Sequence, residues 1–410
     1  MSPSLLRVSS VYAAGLVINR GLDFAFLPLY THLFSPEEYG AVALCLVLLA
    51  FGHVVYAMGF GPAFVRVAAM AGAEQAGRLF PGITVVLAVT ATIFSSTLII
   101  GSDVAAAWLG IADHAGMVVR TAVVLFLDVW TLLPYSLMRA GQQAGRFVAC
   151  TTAATLVHIT GILYFVVYSQ TGPEGLFNAL IAASFFNAIF STVAVRRQIR
   201  LRPTFSDIGS LARFGLPFVP AGVASVAIEL IDRILLERFT DTATVGVYSA
   251  AARLASGMGL IVKAFDYAWT PYVLSQNRDT DRVMRKGMTG LVVMTTPLWT
   301  VFWLFGENLI RWEGLGLPLL GPAYVAGISV VPVLMGAGIL NGLAEGLTAR
   351  IYLKGDSKLV PLATIAGAGV NVAANLALIP VWGMQGAAYA TVLAYAVALI
   401  ILWVGLRKNP

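Results

Sequence analysis

Apolar stretches of roughly 20 residues recur along the whole chain, and each is long enough to cross a hydrocarbon core of about 30 Å as a helix. Of the 410 residues, 59% are hydrophobic and 11% charged, whereas a soluble domain carries roughly 25% charged residues. That composition excludes a soluble globular fold. It leaves no large water-soluble domain. Windows of about 19 residues predict twelve spans, over 5–30, 39–64, 79–101, 116–138, 147–168, 175–195, 214–236, 244–273, 287–305, 324–349, 359–380 and 386–406. The apolar run near the start is interrupted by Asn19, Arg20 and Asp23 and is followed by no small-residue cleavage site, so it reads as a retained first helix. Cys45 and Cys150 both fall inside apolar stretches, which makes them core residues rather than a disulfide or a metal-ligand pair.

The net charge of +6 encodes topology instead of nucleic-acid binding. With the N-terminus placed inside, the basic residues gather in the inner segments: Arg66 and Arg78, Arg139 and Arg146, Arg196 to Arg213, Arg278 to Lys286, Arg350 to Lys358, and Arg407 with Lys408. The outer segments hold only Arg120, Arg238 and Arg311, beside acids such as Glu37, Glu38, Asp103, Glu174 and Glu307. Such a bias gives an even number of spans with both ends in the cytoplasm.

The most basic connection, Arg196 to Arg213, lies near the midpoint and divides the chain into residues 1–202 and 203–410. A shift of 206 positions sets Arg7 on Arg213, Asp23 on Glu229 and Gly40 on Gly246. A shift of 211 sets Gly172 and Gly175 on Gly383 and Gly386, and Ala179 on Ala390. The expected fold is therefore an all-α integral membrane protein of about twelve transmembrane helices. Two six-helix lobes of the same orientation, a parallel repeat, would surround a central cavity.

Ionised side chains inside a span cost at least about 2.5–3.5 kcal/mol each, so they usually face a cavity or one another. The candidates are Arg20 and Asp23 in the first span, Asp128 in the fourth and Glu229, Asp232 and Arg233 in the seventh, then Arg253, Lys263 and Asp266 in the eighth and Glu345 in the tenth. Residues three or four apart share a helix face, which groups Arg20 with Asp23 and Glu229 with Asp232 and Arg233. By the same rule Lys263 and Asp266 can pair within one helix, and Gly338, Gly342 and Gly346 beside Glu345 suggest close helix packing. His53 and His158 read as packing residues. Asp279-Thr280-Asp281 reads as a solvated loop, since no nucleotide-binding domain adjoins it. No phosphate loop and no His-Glu-x-x-His occur, so neither ATP hydrolysis nor zinc hydrolysis has support, and no catalytic residue, metal site or cofactor is expected.

The run Asn19 to Ala43 (NRGLDFAFLPLYTHLFSPEEYGAVA) and the segments DRILLERF, VGVYSAAARL and AFDYAWTP within Asp232 to Pro271 resemble polysaccharide flippases of the multidrug/oligosaccharidyl-lipid/polysaccharide exporter superfamily. The resemblance implies a flippase, not an enzyme, of the bacterial inner membrane. It would carry an undecaprenyl-diphosphate-linked oligosaccharide from inner to outer leaflet by alternating access, for O-antigen, capsule or exopolysaccharide assembly. Its partners would be that lipid-linked glycan, the bilayer, H+ or Na+, and polysaccharide-assembly membrane proteins, with no nucleic acid. Carried onto this sequence, diphosphate binding falls to Arg20, Arg233, Arg253 and Lys263, and ion coupling or cavity acidity to Asp23, Asp128, Glu229, Asp232, Asp266 and Glu345. The excess of acids over bases departs from a uniformly cationic chamber. The alternative is a cation- or proton-coupled multidrug antiporter of the same superfamily, which would need an acid such as Asp23 or Glu229 and could spare the bases.

Overall fold

Hydrocarbon offers no partner for a bare N–H or C=O, and a helix satisfies both within one segment. The computed structural model describes residues 15, 21, 24–70, 72–199, 208–274, 280–311, 318–353 and 358–408, and among them every regular element is helical. In chain order the first are α1 (Leu27–Leu33), α2 (Pro36–Ala57), α3 (Phe60–Met70), α4 (Gly72–Ile100), α5 (Ser102–Trp108), α6 (Ala115–Ala140), α7 (Ala144–Ile162) and α8 (Pro173–Val195). There follow α9 (Ile208–Gly215), α10 (Phe218–Phe239), α11 (Thr242–Ala255), α12 (Gly257–Leu274), α13 (Thr280–Ile310), α14 (Val331–Leu353) and α15 (Leu359–Lys408). Ten helical stretches are long and apolar enough to cross a membrane. The last, Leu359–Arg407, contains Gly383 at φ 52° and ψ −128°, a break lying between the eleventh and twelfth predicted spans. The first predicted span, with Arg20 and Asp23, lies mostly outside the described residues. These elements are consistent with about twelve spans, and the chain is an all-α, multi-pass membrane protein.

The described residues form two compact units. In Leu44–Val223, α6 packs against α4 and α8, and α7 against α8. Phe60 and Phe64 of α3 join Ile83, Leu87, Leu125 and Leu137 in the core of this unit. Ser95 ties α4 to its neighbours, meeting the Tyr56 hydroxyl at 3.1 Å and donating to the Ala122 carbonyl at 3.0 Å. The basic connection 196–213 is not all loop, because Ile208–Gly215 is helical. Ile208, Leu211 and Phe214 recur at intervals of three and give this short helix an apolar side. Leu211 is buried, and Phe214 lies under the Arg66 guanidinium at 4.3 Å.

The other unit holds the described residues of Arg20–Ala43 and Ala224–Pro410. Here α14 packs against α12, α13 and α15. Ser35 opens α2 with a capping box: its N–H donates to Glu38 at 2.9 Å and its Oγ accepts from the Glu38 N–H at 3.2 Å. Asp241, 206 positions later, opens α11 by accepting from the Thr244 N–H at 2.6 Å. The two helix starts touch. A Cβ on Gly40 would lie 1.9 Å from the Thr242 carbonyl oxygen, and one on Gly246 would lie 1.8 Å from that of Pro36. The glycines matched by the longer shift also share a backbone shape, Gly172 at φ 64° and ψ −153° beside Gly383 at φ 52° and ψ −128°. An L-residue with a Cβ rarely adopts that region.

Gly40→Val and Gly246→Val are each expected to lower the thermal midpoint of the detergent-purified protein, by about 1–3 kcal/mol or more of overpacking. Gly369→Ala, where a Cβ meets nothing within 4 Å, should leave it unchanged or higher. A Gly40→Val protein as stable as wild type would remove the close approach of α2 and α11.

Candidate functional site

Helical spacing brings the polar residues of three helices into one place. On α12, Lys263 and Asp266 lie about one turn apart; on α14, Asn341 and Glu345 are an i,i+4 pair; Glu229 projects from α10. All five line a cavity of about 400 Å³ within the second unit, to which Ser225, Thr348 and Tyr395 add hydroxyls. Lys263 Nζ donates to Glu345 Oε1, so it reaches across to α14 instead of pairing along its own helix with Asp266. The physical reason is the cost of leaving Glu345 alone between packed helices, which the cross-helix pair avoids. Asn341 Nδ2 donates to the same carboxylate oxygen at 3.4 Å. The other oxygen, Glu345 Oε2, is buried without a hydrogen-bond partner among the described residues. Among the described residues, the charged groups lining the cavity are thus three carboxylates, Glu229, Asp266 and Glu345, and one ammonium, Lys263.

The remaining candidates separate by burial. Asp232 is 3% exposed and accepts from the Tyr248 hydroxyl and, at 3.0 Å, from Arg233 Nη1. Arg233 also donates to the Glu229 carbonyl at 2.8 Å. The Glu229, Asp232 and Arg233 patch therefore divides: Glu229 faces the cavity, whereas Asp232 and Arg233 close a network with Tyr248 that joins α10 to α11. Arg253, in the last turn of α11, sits 5.6 Å from the centre of the Tyr30 ring. Asp128 belongs to the other unit, where it meets His53 Nε2 at 2.8 Å; the two side chains are 25% and 46% exposed. His53 is thus the partner of an acid rather than a packing residue. Arg20 and Asp23 lie outside the described residues.

Several polar residues escaped the sequence reading. Tyr248 is fully buried and gives no signal along the chain, because its partner is sixteen positions away. Asn371 and Asn375 are fully buried on α15, and Asn375 Nδ2 donates to Asn371 Oδ1 at 2.9 Å. Asn341 was accessible to the i,i+4 rule once Glu345 had been singled out. Among the described residues no cluster of three His, Cys, Asp or Glu is placed to hold a metal ion.

A sequence model of the family described as Polysaccharide biosynthesis protein matches residues 30–312. Over 249 residues the chain is 27% identical to the probable flippase AglR of Haloferax volcanii, a match covering 58% of this chain and 50% of that one, so the chain spans about half the length of that relative. The probable low-salt glycan biosynthesis flippase Agl15 of the same organism is 19% identical across 94% of this chain and 80% of its own. The succinoglycan biosynthesis transport protein ExoT of Rhizobium meliloti is 22% identical across 78% and 66%. In fold, the chain is similar to the lipid II flippase MurJ in an inward closed conformation, with TM-score 0.80, 13% identity and coverage of 97% and 88%. An inward-facing multidrug resistance MATE family transporter of the MOP superfamily gives TM-score 0.75, 15% identity and coverage of 98% and 97%.

Removing one partner of a buried ion pair costs about 3–5 kcal/mol. Asp232→Ala, which strands the Arg233 guanidinium, should therefore lower the thermal midpoint severely, and Arg233→Leu in the same protein should restore part of the loss. Tyr248→Phe is expected to cost about 1.5–3 kcal/mol, the worth of a hydrogen bond to a charged group. If Asp232→Ala unfolds at the wild-type temperature, the network does not hold α10 to α11.

Proposed function

The chain belongs to the polysaccharide biosynthesis protein family, and on that footing we propose that it is a flippase. It carries an undecaprenyl-diphosphate-linked oligosaccharide from the inner to the outer leaflet of the cytoplasmic membrane, with both termini in the cytoplasm. The observation that carries this reading is Lys263, an ammonium in a membrane-spanning helix that opens on a polar cavity and is held by Glu345 on a neighbouring helix. The names of the relatives and the family match support it from outside the cavity.

A diphosphate entering from the inner leaflet competes with Glu345 for Lys263. Both are oxyanions, and the diphosphate brings more negative charge. Arg253 and Arg20 supply further cationic groups, and Arg233 does so if its pairing with Asp232 opens. The glycan occupies the wet chamber, while the polyprenyl chain stays in lipid, where each methylene withdrawn would forfeit about 0.8 kcal/mol. Residues 1–202 and 203–410 act as lobes whose rocking exposes the head group outside. Glu345, once released, is cheapest as a protonated acid or beside a small cation. That step couples transport to H+ or Na+. Glu229, Asp266 and Asp232 share this role in the same unit, Asp128 in the other, and Asp23 in the first span. Membrane proteins of polysaccharide assembly receive the product.

Specific observations favour a second reading, a cation-coupled drug antiporter: the carboxylates outnumber the ammonium in the cavity, and the fold is similar to multidrug transporters. Deleting the gene and analysing lipid-linked intermediates separates the two. A flippase leaves completed oligosaccharide on the cytoplasmic side; an antiporter leaves surface glycan intact and alters tolerance to cationic dyes. In reconstituted liposomes Lys263→Gln should slow flipping roughly ten- to hundredfold, the worth of one charged hydrogen bond to phosphate. Loss of both Lys263 and Arg253 should abolish it, and full activity of that double variant at normal expression overturns the proposal.

A further inference from the structure

On the back of the chamber wall the second unit carries an apolar groove of about 340 Å³, lined by Met288 of α13, Leu343 and Leu347 of α14, and Leu399, Ile400 and Trp403 of α15. The wall is shared. On α14 and α15, Glu345 and Leu402 face the chamber, while Leu343, Leu347, Leu399 and Trp403 face the groove. Each helix carries an arginine at the same end of the groove. Arg350 continues the stripe of Leu343 and Leu347 at i+7 and i+3, and Arg407 continues that of Ile400 and Trp403 at i+7 and i+4. Arg285 precedes Met288 by three positions on α13, which enters where α14 and α15 leave. The Arg407 guanidinium lies 3.5 Å from the centre of the Trp403 ring, which forms one lip of the groove, and Arg285 is exposed.

We propose that this groove is a binding site for one anionic phospholipid, with an acyl chain along Leu343, Leu347 and Leu399 and the phosphate against Arg407, flanked by Arg285 and Arg350. Any bilayer lipid can cover an apolar face. What selects an anionic one is charge: a zwitterionic head group sets its own cation beside these arginines, and an anionic one does not. The stack on Trp403 holds Arg407 at the lip before lipid arrives, which lowers the ordering cost of binding. An occupant of the groove braces the same pair of helices whose other side bears Glu345, so lipid composition bears directly on the chamber. The inference does not depend on what the chamber carries.

The test uses the full chain in mixed micelles containing brominated phosphatidylglycerol or brominated phosphatidylcholine. Quenching attributable to Trp403, obtained by difference from Trp403→Phe, should be selective for phosphatidylglycerol. Arg407→Gln should cut that selectivity about fivefold, and Arg285→Gln should act in the same direction. Native mass spectrometry of the wild-type protein supplies a readout that needs no variant to fold: one phosphatidylglycerol should survive detergent purification in preference to phosphatidylcholine. Equal quenching by the two lipids, equal retention, or a selectivity untouched in Arg407→Gln would each reduce the groove to ordinary boundary lipid and overturn the proposal.

Discussion

An ionised side chain at the centre of a bilayer costs at least about 2.5–3.5 kcal/mol, and the arrangement of this protein's interior follows from how that cost is met. Several charges in the described spans are answered by a group on another helix. Glu345 of α14 answers Lys263 of α12, Tyr248 of α11 joins Asp232 and Arg233 of α10, and His53 of α2 faces Asp128 of α6. Each of these contacts fixes one helix against another, because the partners lie far apart in sequence or on separate elements. Their burial sets their use. The Asp232 side chain is almost wholly enclosed, so its network can only be broken at a loss. The Lys263 and Glu345 side chains are 39% and 25% exposed and line the cavity, which leaves them able to exchange one partner for another.

Exchange of that kind needs a frame that does not move with it. Around the starts of α2 and α11 the frame is made by backbone contact, with Gly40 and Gly246 each pressed on the carbonyl of the other helix's opening residue. Thr31 Oγ1 accepts from the Gly321 N–H at 3.0 Å, and the Tyr324 hydroxyl donates to the Phe34 carbonyl at 2.9 Å, so the corner between α1 and α2 is held as well. Backbone contacts permit little adjustment, since no rotamer can relieve them. The polar cavity lies between helices of the same unit, and part of its wall is apolar, made by Ile228, which packs on Ala368 and Ala394.

The spans were legible because length and apolarity are properties of contiguous residues, and a helix must close its hydrogen bonds locally. The break at Gly383 follows the same logic, since a glycine repeated at matching positions marks a backbone shape that recurs. Partnership was not legible. The spacing of Lys263 and Asp266 permits a pair within α12, and nothing along the chain says that Glu345, 82 positions on, is the better one. His53 looks like any histidine in an apolar run until α2 and α6 are laid together, and Tyr248 looks like an aromatic of the core. The connection 196–213 misled for a related reason. Its five arginines mark it as a connection, while the spacing of Ile208, Leu211 and Phe214 that folds its end into α9 runs over too few residues to raise a window average.

The shared ion pair also explains why two transport readings meet in one cavity. If an anion takes Lys263 from Glu345, the carboxylate is left needing a proton or a cation, and if a cation takes Glu345, the ammonium is left needing an anion. The two events are linked in both directions by the same free energy, which for coupled sites is typically about 1–3 kcal/mol. A flippase uses the linkage to let an ion gradient load or release a diphosphate; an antiporter uses it to expel a cation. The choice between them lies outside the pair, in whether other basic groups such as Arg253 and Arg20 reach the same chamber. With them the balance of charge favours a polyanion, and without them the carboxylates prevail.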